Sequence, residues 1–360
     1  MVVLKDKLIP ELWKYVDMAR DEWAYSWLLE PSDTTKWVGV NLEYTVRMLV
    51  ARLTATVFMG HPVCRDPEWL KISLELSVDM FKTTVRLKMF PPWLYPIAIR
   101  LLPAARRSKS QLRQAQKIVA ALMQKHAAAV ASGTEEEDVF LHWQIDHALP
   151  SEKEVPEMAK RQCILTLASI HTTAMTVGHM IYDLCAHSEW ITPMVKEVDG
   201  IFKSLARPGD KWGEATALGI SSKAWLAREP ITFKDGTKIP EGTRVAFPMY
   251  DCHMDSGMFP NLEVFDPMRI YRKRHASPDQ KHLLMAGQTS PNNLSFGYGN
   301  QACSGRQFAV AEIKLIVGRL LHEYEFRLPE GKSRPKVMYI NENVFPDQSA
   351  TVLLRRRNAS

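Results

Sequence analysis

Residues 296–309 restrict this chain more than any other stretch: Phe-Gly-Tyr-Gly-Asn-Gln-Ala-Cys-Ser-Gly-Arg-Gln-Phe-Ala. An aromatic, paired glycines, a single cysteine, a further glycine and then apolar residues at helical spacing describe a tight loop that presents a sulfur and turns into a helix. The glycines permit positive φ and close backbone approach. A helix starting near Arg306 aims its amide dipoles back at Cys303, a setting suited to a thiolate ligand. The competing reading makes Cys303 a buried small hydrophobe at a helix entrance.

Composition narrows the classes. A chain of 360 residues, 46% hydrophobic and 24% charged, can bury a large core as one domain or two. Cys64, Cys163, Cys185, Cys252 and Cys303 are scattered, odd in number and without CxxC spacing, which argues against a disulfide framework and for a reducing compartment. The net charge of +6 is modest, and no alternation of basic and aromatic residues suggests a nucleic-acid surface; a basic face for an acidic protein partner stays open. Lys5, Lys7, Glu11, Lys14, Asp17 and Arg20 break up the first thirty positions, so neither a signal peptide nor a membrane anchor is expected there.

Apolar spacing predicts helices over residues 3–29, 34–59, 67–90 and 108–131, separated by a proline-punctuated loop at 91–97 and an acidic, solvated loop at 134–138. Ser151 and Glu154 have the form of a capping box, and a proline-free helical pattern then continues from 156 to 190. Periodicity collapses over 201–222. The Asp235-Gly236 turn between 230–233 and 238–239 predicts a hairpin, 243–247 a strand, 310–321 a helix, and 324–328, 337–340 and 350–354 short strands. The pattern predicts a mainly α protein with small β-sheets.

The Phe-x-x-Gly-x-x-x-Cys-x-Gly spacing of Phe296, Gly299, Cys303 and Gly305 resembles the cysteine-ligand loop of the cytochrome P450 haem-thiolate monooxygenases. Ala168-Ser169-Ile170-His171-Thr172-Thr173 resembles that family's oxygen-activation signature, with Thr172 at the alcohol position, Ser169 where glycine is usual and His171 where a carboxylate is usual. Phe265-Asp266-Pro267-Met268-Arg269 is similar to its Phe-x-Pro-x-Arg element, and Arg228 falls where an arginine meets a haem propionate. The resemblance implies one P450 domain over 1–360: a helical distal part, 1–200, containing the long helix 156–190, then 220–360 with hairpins, the cysteine loop 296–305 and a proximal helix. Residues 342–346 lie where the family places a hairpin tip over the substrate.

The resemblance also marks departures. The match begins inside the family's fold, without its anchor, first sheet and early helices. Its Glu-x-x-Arg helix has no counterpart: the match at Glu241 and Arg244 lies in a Pro-Gly turn, and residues 215–220 read like the flanks of that helix joined together. No Trp-x-x-x-Arg occurs, and Gln301 stands where a basic residue commonly helps hold the haem. Arg269 is thus expected to find another acceptor or to face solvent.

By that resemblance the cofactor is haem b, its iron held by Cys303, with electrons from NADPH through a cytochrome P450 reductase attracted by Arg306 and Lys314. Thr172 and His171 would handle dioxygen and protons, and the substrate would be a small apolar terpenoid or meroterpenoid intermediate of fungal secondary metabolism. Trp93, Leu94 and Tyr95 would either touch a membrane surface or pack on the protein's own core. The location implied is the cytosolic face of the endoplasmic reticulum, or the cytoplasm if the sequence is complete as written. The rival expectation is a non-catalytic P450 remnant or misassembled gene product that retains no haem.

Overall fold

A computed structural model of the chain describes residues 14–25, 36–204, 223–247, 261, 264–280, 285–291, 293–340 and 343–357. It divides into two compact units: Met1–Lys36 with Val40–Val177, and Trp37–Gly39 with Gly178–Ser360.

The first unit is helical. Helix α1 (Lys14–Tyr25) is followed by a short strand, β1 (Val38–Asn41), and by α2 (Leu42–Met59). The helix expected from residue 34 therefore starts at Leu42. Asn41 sets the start, because its side chain accepts the Tyr44 N–H at 2.9 Å and supplies the acceptor that a first turn lacks. Gly60 ends α2 at φ +71° and ψ −169°. Asp66 caps α3 (Pro67–Leu87) by accepting the Glu68 N–H at 2.7 Å, with Pro67 in the first turn, where its missing N–H costs nothing.

A short helix, α4 (Tyr95–Leu101), leads into α5 (Pro103–Ser132). Helix α5 starts earlier than apolar spacing suggested because Pro103 fixes its first turn, and Gly133 closes it in the left-handed conformation at φ +68°. Helices α3 and α5 are tied by a buried carboxylate: Asp79 accepts Arg107 Nη2 at 2.6 Å and Nε at 3.0 Å, and Gln111 Nε2 at 3.3 Å. Leu42, Val46, Val50, Trp69, Ile72, Val119, Phe140 and Leu141 are all buried here.

Helix α6 (Phe140–His147) has no counterpart in the apolar pattern, since it is short and half polar. Residues 134–138 are not simply solvated. Glu136 bonds His126, Glu137 accepts both the backbone N–H of His61 at 2.7 Å and its ring Nδ1 at 3.1 Å, and Asp138 accepts the Trp143 indole N–H. The cap before the next helix also differs. Glu152 accepts the Leu149 N–H at 3.3 Å across a single 3-10 turn and pairs with Arg161 at 2.7 Å, in place of a Ser151 cap.

The long helix α7 runs Val155–Ala186. It stops short of residue 190 because Pro193 sits in the first turn of α8 (Ile191–Ser204), where a helix must begin anew. His187 breaks the path at φ −124° and ψ 61°. Among the described residues α7 is the one helix long and apolar enough to cross a membrane. Its buried Met158, Ala159, Ile170, Ala174 and Val177 make it a core helix.

The second unit combines helices with small antiparallel sheets. Strand β2 (Lys223–Leu226) pairs with β5 (Arg244–Phe247), and β3 (Ile231–Thr232) with β4 (Lys238–Ile239) across the expected turn. There Asp235 accepts the Thr237 N–H at 2.9 Å and Gly236 takes φ +87°. The short helix α9 (Arg269–His275) precedes the cysteine loop, and α10 (Arg306–Glu323) follows it. Strand β6 (Tyr324–Arg327) pairs antiparallel with β9 (Thr351–Arg356), placing Tyr324 opposite Arg356 and Phe326 opposite Leu354; β9 also neighbours β1. A last hairpin joins β7 (Met338–Ile340) to β8 (Asn343–Phe345). Ile316, Val317, Leu321, Tyr324, Phe326 and Val352 form the buried layer under this sheet. The mainly α fold with small sheets follows from these elements. Most of the 201–222 stretch, including the 215–220 joint, lies outside the described residues, as does Cys252.

Candidate active site

The cysteine loop is built from backbone hydrogen bonds. The Cys303 N–H donates to the Phe296 carbonyl at 2.7 Å and closes the loop. Two tighter turns lie inside it: Gly297 N–H to Leu294 O at 2.8 Å, and Ala302 N–H to Gly299 O at 3.1 Å. Gly297 at φ +76° and Gly299 at φ +63° hold a conformation that side chains resist, which explains the paired glycines. The 3-10 turn Gly299–Gln301 then lifts the chain toward Cys303, which is exposed. A Cβ on Gly299 or Gly305 would meet nothing within 4 Å, so the loop is open on that side and has room for the face of a large flat ring. A soft sulfur presented on an open, glycine-lined loop fits a haem-iron ligand.

Sequence reasoning missed the brace behind this loop. Arg306 Nη1 donates to the Cys303 carbonyl at 2.9 Å, and its Nε donates to the Gly287 carbonyl at 3.0 Å. Gly287 belongs to a strap at 285–288 closed by Gln288 N–H to Met285 O at 2.8 Å. A Cβ at Gly287 would come within 2.7 Å of the Gln307 amide, so the strap lies close against the start of α10. The signal was Gly287 itself, the third residue of that turn. Arg306 is thus committed to the loop, and Lys314 is largely buried, with its pKa lowered by that burial and by neighbouring Arg274.

We expect Arg306→Ala to release both carbonyls at a cost of about 2 kcal/mol, the usual scale for charged hydrogen bonds. Hydrogen exchange at the Cys303 amide should then quicken at least about tenfold. Arg306→Lys should not restore protection, since an ammonium lacks the fork that spans two acceptors.

Arg269 finds the alternative acceptors expected of it: Nη2 donates to the carbonyls of Asn261 at 2.6 Å and Val264 at 2.7 Å. Arg272 pairs with Asp266, whose other oxygen accepts the Met268 N–H at 3.1 Å. Phe296 and Gly305 are half-buried, whereas Gln301 and Arg228 are exposed, the latter just beyond β2. Cys303, Phe296, Gly299, Gln301 and Gly305 are therefore gathered on one loop, with Arg228 elsewhere in the same unit.

His171 and Thr172 lie in the first unit and point to different sides of α7. Thr172 is exposed, and its hydroxyl donates to the Ala168 carbonyl at 2.8 Å. Ile164 and Ala168, two turns and one turn earlier, are exposed along the same stripe. His171 turns inward and bonds through Nε2 to Ser77 Oγ on α3, a partner nothing in the sequence indicated. Burial, with Arg47 nearby, pulls its pKa from 6.5 to about 4. The imidazole is thus neutral at physiological pH and can pass a proton only by exchanging one ring N–H for the other. Trp69, Ile72, Ser73, Leu76, Ser77, Cys163, Thr166 and Leu167 line the seam between α3 and α7, which is packed too tightly to admit a water molecule.

Known proteins match this arrangement. The cytochrome P450 family model covers residues 226–354. The chain is similar to the cytochrome P450 monooxygenase ATR4 of Stachybotrys chlorohalonatus, 37% identical over 98% of this chain and 71% of that protein. It is likewise similar to the monooxygenase olcJ of Penicillium canescens, 34% identical over 99% and 71%. The ent-kaurene oxidase of Gibberella intermedia is 32% identical over 99% and 70%. These alignments span nearly all of this chain at more than 30% identity, and the chain belongs to the cytochrome P450 monooxygenases.

Proposed function

We propose that this P450 oxidises an unactivated C–H bond of an apolar terpenoid or meroterpenoid skeleton, with Cys303 as the axial thiolate of haem b. The observation that carries the reading is the exposed Cys303 sulfur on a loop locked by its own Phe296 bond and by Arg306. Similarity to an ent-kaurene oxidase supports a terpenoid hydrocarbon as the substrate class. When bound through a thiolate, haem supplies dioxygen activation.

The chain's own contributions follow from its geometry. Arg306 and the Phe296 carbonyl hold the backbone on either side of the ligand, fixing where the sulfur points. Phe296, Gly299, Gly305 and Gln301 would shape the surface that holds a haem ring, and Arg228 would offer a guanidinium to a propionate. Exposed Ile164 and Ala168 would present an apolar stripe to the substrate, and Thr172, whose hydroxyl donates to the Ala168 carbonyl, would hold a proton on that stripe. The Ser77–His171 pair, neutral and inward, holds a donor in reserve one helix position away.

Electrons come from NADPH through a cytochrome P450 reductase. The exposed apolar group Met89, Phe90, Trp93, Ile97 and Leu101 around α4, half-buried Leu94 and Tyr95 among it, would rest on the cytosolic face of the endoplasmic-reticulum membrane.

The test is the reduced carbon-monoxide difference spectrum of the chain expressed with haem precursor. A strongly red-shifted Soret band, absent from Cys303→Ala, is expected, together with hydroxylated product from ent-kaurene or a related hydrocarbon when reductase and NADPH are added. No haem, or a band of neutral ligation only, would point instead to the non-catalytic remnant.

A further inference from the structure

Away from the cysteine loop, α5, the 134–138 loop and α6 bring two histidines and two carboxylates together. His126 is 8% exposed, and its ring stacks on that of His142 with centroids 4.2 Å apart and planes 12° apart. Glu136 Oε2 lies 2.7 Å from His126 Nδ1 and 3.9 Å from His142 Nδ1, and one ligand atom from each of the three residues falls within 4.8 Å of the others. The remaining nitrogen of His126, Nε2, lies 3.2 Å from Asp146 Oδ1.

Ligand atoms around a tetrahedral zinc ion, at about 2.0–2.1 Å from the metal, stand about 3.3 Å from one another. The two separations from Glu136 straddle that value, and the stacked His126 and His142 rings must turn out of their parallel packing for both Nδ1 atoms to face one ion. Asp146 occupies the place of the outer carboxylate that holds a metal-bound imidazole in the right tautomer. We infer that this chain carries a divalent-metal site of the zinc class, made by His126 Nδ1, His142 Nδ1 and Glu136 Oε2, with water as fourth ligand and Asp146 orienting His126.

A second cluster, Glu22, His61 and Cys64, is excluded by its own partners. Glu22 already pairs with Arg65 at 2.8 Å, and burial raises the Cys64 thiol to about 11.

Binding exchanges protons for metal. Burial acts to lower the His126 pKa, but hydrogen bonds to Glu136 and Asp146 outweigh it and the net shift is upward; the ion must displace the Nδ1 proton. His142 moves the other way, lowered by burial and by the nearby His126. Its Nδ1 now lies 3.1 Å from the Glu137 carbonyl, so metal binding moves its proton to Nε2. The charged and titratable groups facing the site are Glu136, Glu137 and Asp138 from the loop and Asp146 from α6.

The experiment titrates the chelator-stripped full chain with Zn²⁺ against a chromophoric chelator, and repeats the titration with Co²⁺. One equivalent bound is expected, lost in both His126→Ala and His142→Ala and weakened about 10- to 100-fold in Asp146→Asn, whose half-exposed side chain leaves folding intact. Cobalt should give visible d–d bands without a thiolate charge-transfer band, and zinc should raise the melting temperature of the parent but not of His142→Gln. Failure to bind zinc, binding unchanged in both histidine variants, or a thiolate band abolished by Cys64→Ala would each overturn the assignment. None of these readouts depends on haem or on oxidation of a substrate.

Discussion

Gly60→Ala lowers the stability of the chain by about 3 kcal/mol, whereas Gly133→Ala costs about 1 kcal/mol. Both glycines end long helices at positive φ, so comparing them separates two effects. Gly133, at φ +68° and ψ 23°, sits in the left-handed helical region that an L-residue can enter at modest cost, and a Cβ there meets nothing within 4 Å. Gly60, at φ +71° and ψ −169°, lies where glycine alone is comfortable. Its added Cβ would also come within 2.5 Å of Glu137 Oε2 and 2.8 Å of Val139 Cγ1. Glu137 can retreat only by releasing the N–H and ring of His61. Urea denaturation of the two variants measures the difference; equal losses would mean that neither the backbone conformation at Gly60 nor the Glu137 contact adds to the cost.

The second large effect is on acid stability. Burial holds the His171 pKa at about 4, against an ordinary value of 6.5, so between those values an unfolded chain takes up a proton that the folded one refuses. The contribution of neutral His171 is complete above pH 6.5 and is lost as pH falls through the unfolded value, reaching its limit near pH 4. The full span corresponds to about 3 kcal/mol. His171→Gln keeps a hydrogen-bonding partner for Ser77 but cannot ionise. Between about pH 7.5 and about pH 4 the parent should lose roughly 2–3 kcal/mol more than this variant. His126, whose pKa moves upward, titrates alike in both proteins and cancels in the difference. Parallel pH profiles would show that the His171 side chain is more hydrated than its packing on α3 implies.

The legible parts of the fold were those in which a local signal and the tertiary environment agree. The cysteine loop could be read because each glycine answers to a backbone angle, and the Asp235-Gly236 hairpin because its turn chemistry is self-contained. Helices α3 and α10 could be read because each has one broad apolar face. Helices α6, α8 and α9 escaped for a common reason: they are short or adjoin stretches of weak periodicity, and α6 and α9 have no side-chain cap for the sequence to announce.

The same division runs through the candidate site. Cys303 and Thr172 were legible by spacing. Arg306 as a brace, Ser77 as the partner of His171 and the carbonyls that receive Arg269 were not, because each depends on contacts between segments that spacing does not encode. The acidic loop is the clearest case. Its composition matches any solvent-facing connector, and only the fold reveals that its carboxylates are taken up by α5, α6 and His61 just beyond α2.

That loop bears on how the chain would be cut. A run of polar residues between two helices is ordinarily where a protease finds extended, yielding backbone. Here Glu136, Glu137 and Asp138 are each claimed by a different neighbour, His126, His61 and Trp143, so no single side chain can let go and free the segment. The connection between α5 and α6 thus behaves as part of the folded body, and a protease that cleaves it must first wait for three independent contacts to open together.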